Sequence, residues 1–413
     1  MIAKIVTLGC KTNQSDSEAI AASLSKAGFT VQPDGEPSAI IINTCAVTNE
    51  SERKCRQAIR KARADHKDAV IIATGCYAQL KGDSLKSFGA DYAVGIKSQH
   101  LIAQLLSSIL GQAASGQREQ KTGHKVRKIL KVQDGCDNAC SYCSIYIARG
   151  NPISVSADEA VAQALRIKSE GYREIVLTGI NLAKHDSGIG SLARQVAQAS
   201  GIERLRIGSL DPLAINEETL GELSKASAFC EHFHISLQSG SDRILKLMNR
   251  DYGLRSIIGA VALAKSYFPT AAFTADVIVG FPSESDEDFA LTKEAIAQTG
   301  LVHTHIFPFS PKTGTPAALM QGQLANAEKR KRAAELSEFA NRVAARELEK
   351  HIGSSAEILP ERESAPGVYE GYTRNYLRAL VPSGSDIIGK IVKAKIYGNN
   401  ESMLNAELIE IIG

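Results

Sequence analysis

One short apolar strand and two continuous apolar runs near the start of the chain each lead into a cysteine: KIVTLG into Cys10, AIIINT into Cys45 and VIIATG into Cys76. Runs that are apolar at every position, not at alternate ones, belong to strands buried on both faces, and such strands need helices on both sides of a parallel sheet. The intervening segments supply them. SDSEAIAASLSKAGF, residues 15–29, opens on a good capping residue, and the charged NESERKCRQAIRKARADHKD follows Cys45. An open α/β domain over residues 1–113 is therefore predicted. In open parallel sheets ligands gather at the carboxyl ends of the strands. Three cysteines far apart in sequence are thus expected to meet at one sheet edge as a three-thiolate metal site.

A second trio is local. GCDNACSYC places Cys136, Cys140 and Cys143 within eight residues and offers no fourth thiol nearby. The N-terminus lacks a signal-peptide layout and no apolar run is long enough to span a bilayer, so a cytoplasmic protein without a membrane partner is expected. Cysteines there stay reduced, which argues against pairing the eight into disulfides. Structural zinc sites are closed by four ligands, and ferredoxin spacings differ from this one. Three thiolates on a cubane cluster leave one iron open to a substrate or cosubstrate. Cys55 and Cys230 fall outside both trios and are expected to be small buried hydrophobes.

Further along, residues 114–127 read as a basic linker. Residues 128–348 hold six apolar strand segments (KILKVQD, EIVLTGIN, RLRIGSLDP, HFHISLQSG, FTADVIVGFP and VHTHIFPFS) separated by helical ones. This pattern predicts a partial parallel (βα)6 barrel, since eight strands would close a full one. GCDNACSYC follows its first strand and is expected at the functional rim. A long helix is predicted over 326–352, and residues 349–413 alternate as a small β-barrel does. The fold class expected is α/β multidomain.

The arrangement Cys-x3-Cys-x-Tyr-Cys resembles the radical S-adenosylmethionine superfamily. Together with GCKTNQSDSE, NTCAVTN, TGCYAQ, ARG, SLQSGSD, MNRDY, DVIVGFPSES and PFSPKTGTP, it is similar to the methylthiotransferases within that superfamily, over nearly the whole chain. GCKTNQ, SLQSGSD and PFSPKTGTP look most like the branch acting on N6-threonylcarbamoyladenosine next to tRNA anticodons. The resemblance implies a radical barrel followed by a TRAM module, S-adenosylmethionine as cosubstrate, and two [4Fe-4S] clusters. Cys136, Cys140 and Cys143 would hold the radical cluster, and Cys10, Cys45 and Cys76 the auxiliary one. Tyr142 would lie against the cosubstrate adenine. Gly179, Asn181, Ser209, Gln238 and Asp276 are rim positions that would shape the cosubstrate pocket, with turn chemistry as the competing explanation. One departure stands out: Ile153 falls where the family has a further arginine past ARG.

The implied reaction adds a methylthio group to C2 of the modified adenosine at tRNA position 37, by way of a 5′-deoxyadenosyl radical. It requires a reduced flavodoxin- or ferredoxin-type electron donor and a sulfur source that the residues do not identify. The formal charge is only +3, so binding of the tRNA anticodon stem-loop must rest on local patches. Candidates for substrate contact are Arg53 and Lys54 on the charged helix, Arg149, Arg250, and Tyr372 and Arg374 in GYTRNYLR, where aromatics alternate with cations. Residues 353–413 carry eight acidic against six basic residues, which suits a basic protein partner instead. The alternatives are accordingly a methylthiotransferase acting on a ribosomal-protein aspartate, one acting on isopentenyladenosine-37, and a non-catalytic iron–sulfur RNA-binding redox sensor.

Overall fold

In the computed structural model, which describes residues 1–111, 126–400 and 402–413, the three cysteine-ended runs lie side by side. Strands β1 (Ile2–Thr7), β2 (Thr30–Val31), β3 (Ala39–Thr44), β4 (Val70–Gly75) and β5 (Tyr92–Val94) form one parallel sheet in the order β2-β1-β3-β4-β5. Alternate side chains go to opposite faces: Ile40, Ile42 and Ile71 enter one core cluster, Ile41 and Ile72 the other. Each buried isoleucine contributes about 1.5–3 kcal/mol. Helix α1 (Lys11–Lys26) covers one face through Ile20 and Leu24, and helix α2 (Asn49–Asp65) covers the other through Cys55 and Ile59. Thr48 caps α2 in a reciprocal box with Ser51. The chain leaves β1 first toward β2 and later toward β3. A crevice therefore opens at the carboxyl ends between β1 and β3.

Two folded units divide the chain, and residues 134–152 and 310–318 belong to the first of them. GCDNACSYC thus folds with the N-terminal sheet rather than with the strand it follows. Most of the expected linker lies outside the described residues.

The second unit contains the six expected strand segments. Strands β6 (Arg127–Lys131), β7 (Glu174–Thr178) and β8 (Arg204–Ile207) form one parallel sheet; β9 (Ser209–Leu210), β10 (His232–Gln238), β11 (Ala272–Val279) and β12 (Leu301–Pro308) form another. The strand run expected as one piece is interrupted at Gly208, whose N–H donates to the Leu177 carbonyl of β7 while Ser209 and Leu210 pair with β10. The long helix runs over Asn326–Glu349. Strands β13 (Ser355–Ala365), β14 (Val368–Thr373), β15 (Arg378–Pro382), β16 (Val392–Asn399) and β17 (Leu404–Ile411) close a small barrel in the order β13-β14-β15-β17-β16.

The small barrel is fastened by a charge network centred on the fully buried Glu174. Its carboxylate accepts from Arg204 at 2.8 Å, from Arg206 at 2.9 Å and from Arg127. Arg204 and Arg206 also donate to the Thr373 carbonyl at 2.8 and 2.7 Å. Burial alone would push the Glu174 carboxyl up, but Arg206, Arg127 and Arg204 hold it well below the usual carboxylate range. Tyr372 stacks on Tyr376 at 4.5 Å, and Tyr376 on His232 at 4.6 Å. Arg374 donates to the carbonyls of Ser227 and Phe229. This corrects the reading of GYTRNYLR as an RNA surface: Tyr372 and Arg374 join the small barrel to the strands beside it. Among the described residues no helix is long and apolar enough to cross a membrane.

Candidate functional site

The dispersed trio sits where the strand ends converge. Cys10 caps the start of α1, Cys45 follows β3, and Cys76 opens helix α3 (Cys76–Lys81) directly after β4. The approach is close enough that a Cβ on Gly9 would lie 2.8 Å from Cys45 Cβ, and Gly9 holds a φ of +111°. Gly75 is confined in the same way: its φ is +89°, and a Cβ there would collide with Asn43 Oδ1. Cys45 and Cys76 are buried while Cys10 is exposed, so the trio lines a site with a wet side. Burial pushes the Cys76 thiol up to about 11, and the neighbouring Cys10 and Cys45 thiols push the same way. Burial also raises Cys45, with a contribution from Cys10. The three sulfurs therefore share one electrostatic neighbourhood.

Arg149, offered above as a substrate contact, is instead buried in this site. Its Nε donates to Cys76 Sγ at 3.4 Å, one terminal nitrogen grips both oxygens of Asp134 at 2.9 and 2.8 Å, and the other donates to Asn13 Oδ1 and Asp16 Oδ2, each at 2.9 Å. A side chain so committed is not offered to a phosphate. Asn13 is a residue that sequence reasoning missed. Its Nδ2 donates to Leu8 O at 2.8 Å and Thr44 O at 3.0 Å, lacing the ends of β1 and β3 together. Another is Lys312, which donates to Glu52 at 2.7 Å and lies close enough to Cys45 to lower its thiol. The only signal for these residues lay in their motifs: Asn13 and Asp16 in GCKTNQSDSE, and Lys312 in PFSPKTGTP. Cys55 lies behind Cys45, whose N–H donates to its sulfur at 3.2 Å.

The local trio is shaped by backbone donors. The N–H groups of Asn138 and Ile145 point at Cys136 Sγ and Cys143 Sγ, at 3.5 and 3.3 Å. Cys136 N–H donates to Gly150 O at 2.9 Å and Cys143 N–H to Cys140 O at 3.1 Å, closing the loop; Ala139 takes a left-handed φ of 46° within it. Burial lifts the Cys143 thiol to about 11, helped by Cys140 and Cys136. A short helix α4 (Ile145–Arg149) then carries the chain from Cys143 to Arg149. The sequence connects the local trio to the dispersed one in six residues.

Both donor sets fit iron–sulfur clusters. All six sulfurs are free thiols, and among the described residues neither trio is joined by the fourth donor of a closed zinc site. N–H donors to the sulfurs, and the guanidinium beside Cys76, compensate the negative charge of thiolates, and such hydrogen bonds help set cluster potentials.

The remaining predicted positions divide between the units. Tyr142 lies in the first, half-buried in the cysteine loop. In the second, Gly179 packs against Gln133, whose side-chain oxygen accepts from Asn181 N–H at 2.7 Å. Ser209 is exposed on β9, Gln238 ends β10 with a left-handed φ of 63°, and Asp276 lies on β11 with its carboxylate 3.3 Å from His234 Nε2. Arg250 is turned inward, corrected from an RNA contact: it pairs with Asp211 at 2.8 Å and donates to Tyr252 Oη at 2.9 Å. Arg53 and Lys54 do face solvent, and the surface pair of Arg53 with Glu50 is too weak to withhold it from a phosphate. Ile153 is 67% exposed.

Residues 130–296 match the radical SAM superfamily, and residues 3–95 match an uncharacterized family designated UPF0004. The threonylcarbamoyladenosine tRNA methylthiotransferase MtaB of Thermotoga maritima is 36% identical, covering 91% of this chain and 90% of its own. The protein of the same name from Bacillus subtilis is 34% identical, covering 94% and 92%. A tRNA-2-methylthio-N(6)-dimethylallyladenosine synthase of Pelotomaculum thermopropionicum is 29% identical, covering 96% and 95%. Among solved structures, the radical S-adenosylmethionine methyltransferase TsrM from Kitasatospora setae matches with a TM-score of 0.59 at 14% identity, over 77% of each chain; that likeness concerns the fold alone.

Proposed function

This chain belongs to the radical SAM methylthiotransferases, and from that premise we propose that it places a methylthio group on C2 of N6-threonylcarbamoyladenosine at position 37 of tRNA. The observation that carries the reading is the pair of cysteine trios in one folded unit, each with three thiols and, among the described residues, no closing fourth donor. Cys136, Cys140 and Cys143 would hold a [4Fe-4S] cluster that binds S-adenosylmethionine, and Cys10, Cys45 and Cys76 an auxiliary one. Together, the cluster and S-adenosylmethionine supply one-electron cleavage of a carbon–sulfur bond.

The protein's own residues organise this chemistry. The amides of Asn138 and Ile145 steady the local thiolates, and Arg149 holds Cys76 in place and offsets its charge. Tyr142 is assigned to the adenine of the cosubstrate. Gly179, Asn181, Ser209, Gln238 and Asp276 are assigned to the pocket around it. Arg53 and Lys54 on the exposed face of α2 are assigned to the anticodon stem-loop phosphates. A base in a single-stranded loop is the easiest to withdraw from its stack. The small closed barrel takes the TRAM role, and electrons come from a flavodoxin- or ferredoxin-type donor.

Two relatives bearing the threonylcarbamoyladenosine name, at 36% and 34% identity, against 29%, 30% and 31% for three dimethylallyladenosine synthases, support this substrate over the other tRNA branch. The test is a nucleoside profile of tRNA by mass spectrometry. Deleting the gene is expected to remove 2-methylthio-N6-threonylcarbamoyladenosine and leave its unmethylthiolated precursor. Loss of the dimethylallyl product instead would assign the enzyme to the other branch.

A further inference from the structure

Strands β10, β11 and β12 lie side by side in register: His234 is opposite Thr274, Thr274 is opposite His303, and Asp276 is opposite His305. Alternate residues of a strand share a face, so β10 and β12 each bring two histidines to the face on which β11 places a threonine and an aspartate. Among the described residues, His234, Asp276 and His305 each offer a ligand atom, and all three atoms lie within 4.8 Å of one another. The His234 Nε2 to Asp276 Oδ1 distance is 3.3 Å. None of these residues has a part in holding the cysteine trios.

The ring of His234 is also oriented as a ligand ring is. Its Nδ1 lies 2.8 Å from the Thr274 hydroxyl, which is itself 2.9 Å from His232 Nε2. This engages one ring nitrogen and turns the other toward Asp276. Metal-bound histidines are fixed in the same manner, by a hydrogen bond at the nitrogen that does not ligate. All three donors stand on strands, which hold a site more rigidly than loops do. The His305 ring also packs edge-on against His303 at 4.4 Å and lies 5.7 Å from the ring of His234, so the competing explanation is a His–Asp pair within a packed histidine cluster, and the metal content measured below separates the two.

We infer that His234, Asp276 and His305 bind one divalent cation of the zinc or iron(II) class. Two imidazoles and one carboxylate are the donor set that such ions accept, with coordination positions left open. The open positions would take an oxygen-bearing group of whatever molecule occupies this face.

The test uses the full chain with its iron–sulfur clusters assembled and its iron content measured, stripped of loosely bound metal and dialysed against zinc ion. Mass spectrometry of the metal content is expected to find one zinc per chain. H234Q, D276N and H305Q should each bind zinc at least tenfold more weakly, with iron unchanged, whereas H303Q should bind as the parent does. If a ligand variant loses iron or fails to fold, T274V decides the matter: it removes the anchoring hydroxyl and no ligand, and should weaken zinc about tenfold or more. Absence of zinc in the parent, or equal retention by the ligand variants and T274V, would overturn the assignment. Zinc binding is measured without tRNA, so its failure is separate from failure of the proposed reaction.

Discussion

The two cysteine trios hold equal numbers of thiols by opposite means. Cys136, Cys140 and Cys143 are set by a loop that closes on itself through Cys136 N–H to Gly150 O and Cys143 N–H to Cys140 O. Cys10, Cys45 and Cys76 are brought together only because β1, β3 and β4 are adjacent and parallel. A local site is supported by amides, which every loop possesses. The dispersed site has one such amide, from Val47 to Cys45, and relies besides on side chains that cross between elements, here Asn13 and Arg149. Tertiary scaffolding should therefore matter more to the second trio than to the first.

The largest expected effect comes from removing one trio at a time. Replacing Cys10, Cys45 and Cys76 together by alanine should halve the iron per chain and abolish methylthiolated tRNA, while reductive cleavage of S-adenosylmethionine continues. Replacing Cys136, Cys140 and Cys143 should abolish both reactions. Iron analysis with chromatography of 5′-deoxyadenosine distinguishes the two patterns, and a full iron complement in either variant would break the comparison.

Arg149→Met should come next. It takes one partner from each of Asp16 and Asp134, and breaking a buried pair from one side costs about 3–5 kcal/mol. Urea unfolding of the cluster-free protein should register that loss, and iron retention should fall at the dispersed trio. Arg149→Lys, which keeps the charge but not the fork of donors, should lose less.

A smaller effect concerns thiol reactivity in cluster-free protein. With its thiol at about 11, Cys76 is on the order of 0.1% thiolate at pH 8, so iodoacetamide should modify it far more slowly than the exposed Cys10. Its rate should climb with pH up to about 11. Arg149 lowers this thiol, so its loss raises the thiol further. In Arg149→Met the Cys76 rate at pH 8 should fall again wherever the fold is retained, as peptide mapping by mass spectrometry would read. An increase would mean that exposure, not charge, governs Cys76.

The smallest effect is expected in the local loop. Ala139 carries a left-handed φ of 46°, a conformation that glycine adopts without strain. Ala139→Gly should raise stability to urea by less than about 1 kcal/mol and leave the iron content unchanged.

Much of this architecture was legible because it is written in short-range patterns. Unbroken apolar runs identify β3 and β4, and the spacing of GCDNACSYC announces a thiolate site without any knowledge of the fold, whereas the helix expected to open on a capping residue at Ser15 begins at Lys11, after Cys10. The strand-end argument reached the dispersed trio because strand ends of a parallel sheet share an edge whatever the loops do. Illegible were the partners of individual charges. Arg250, Tyr372 and Arg374 look like RNA contacts in sequence and turn inward in the fold, since nothing local reveals that Asp211 or the carbonyls of Ser227 and Phe229 await them. The split of the strand run at Gly208 was equally hidden, because a glycine's pairing depends on which neighbour its amide faces.

The sequence by itself determined most of the strands and helices, the grouping of six cysteines into two candidate trios and the family, all of which follow from residue type and spacing along the chain. Only the tertiary structure decided that Arg149 serves Cys76, that Lys312 stands near Cys45, and that His234, Asp276 and His305 converge. Hydrogen bonds and charge interactions act over a few ångströms of space, and separation along the chain says nothing about that distance until the chain has folded.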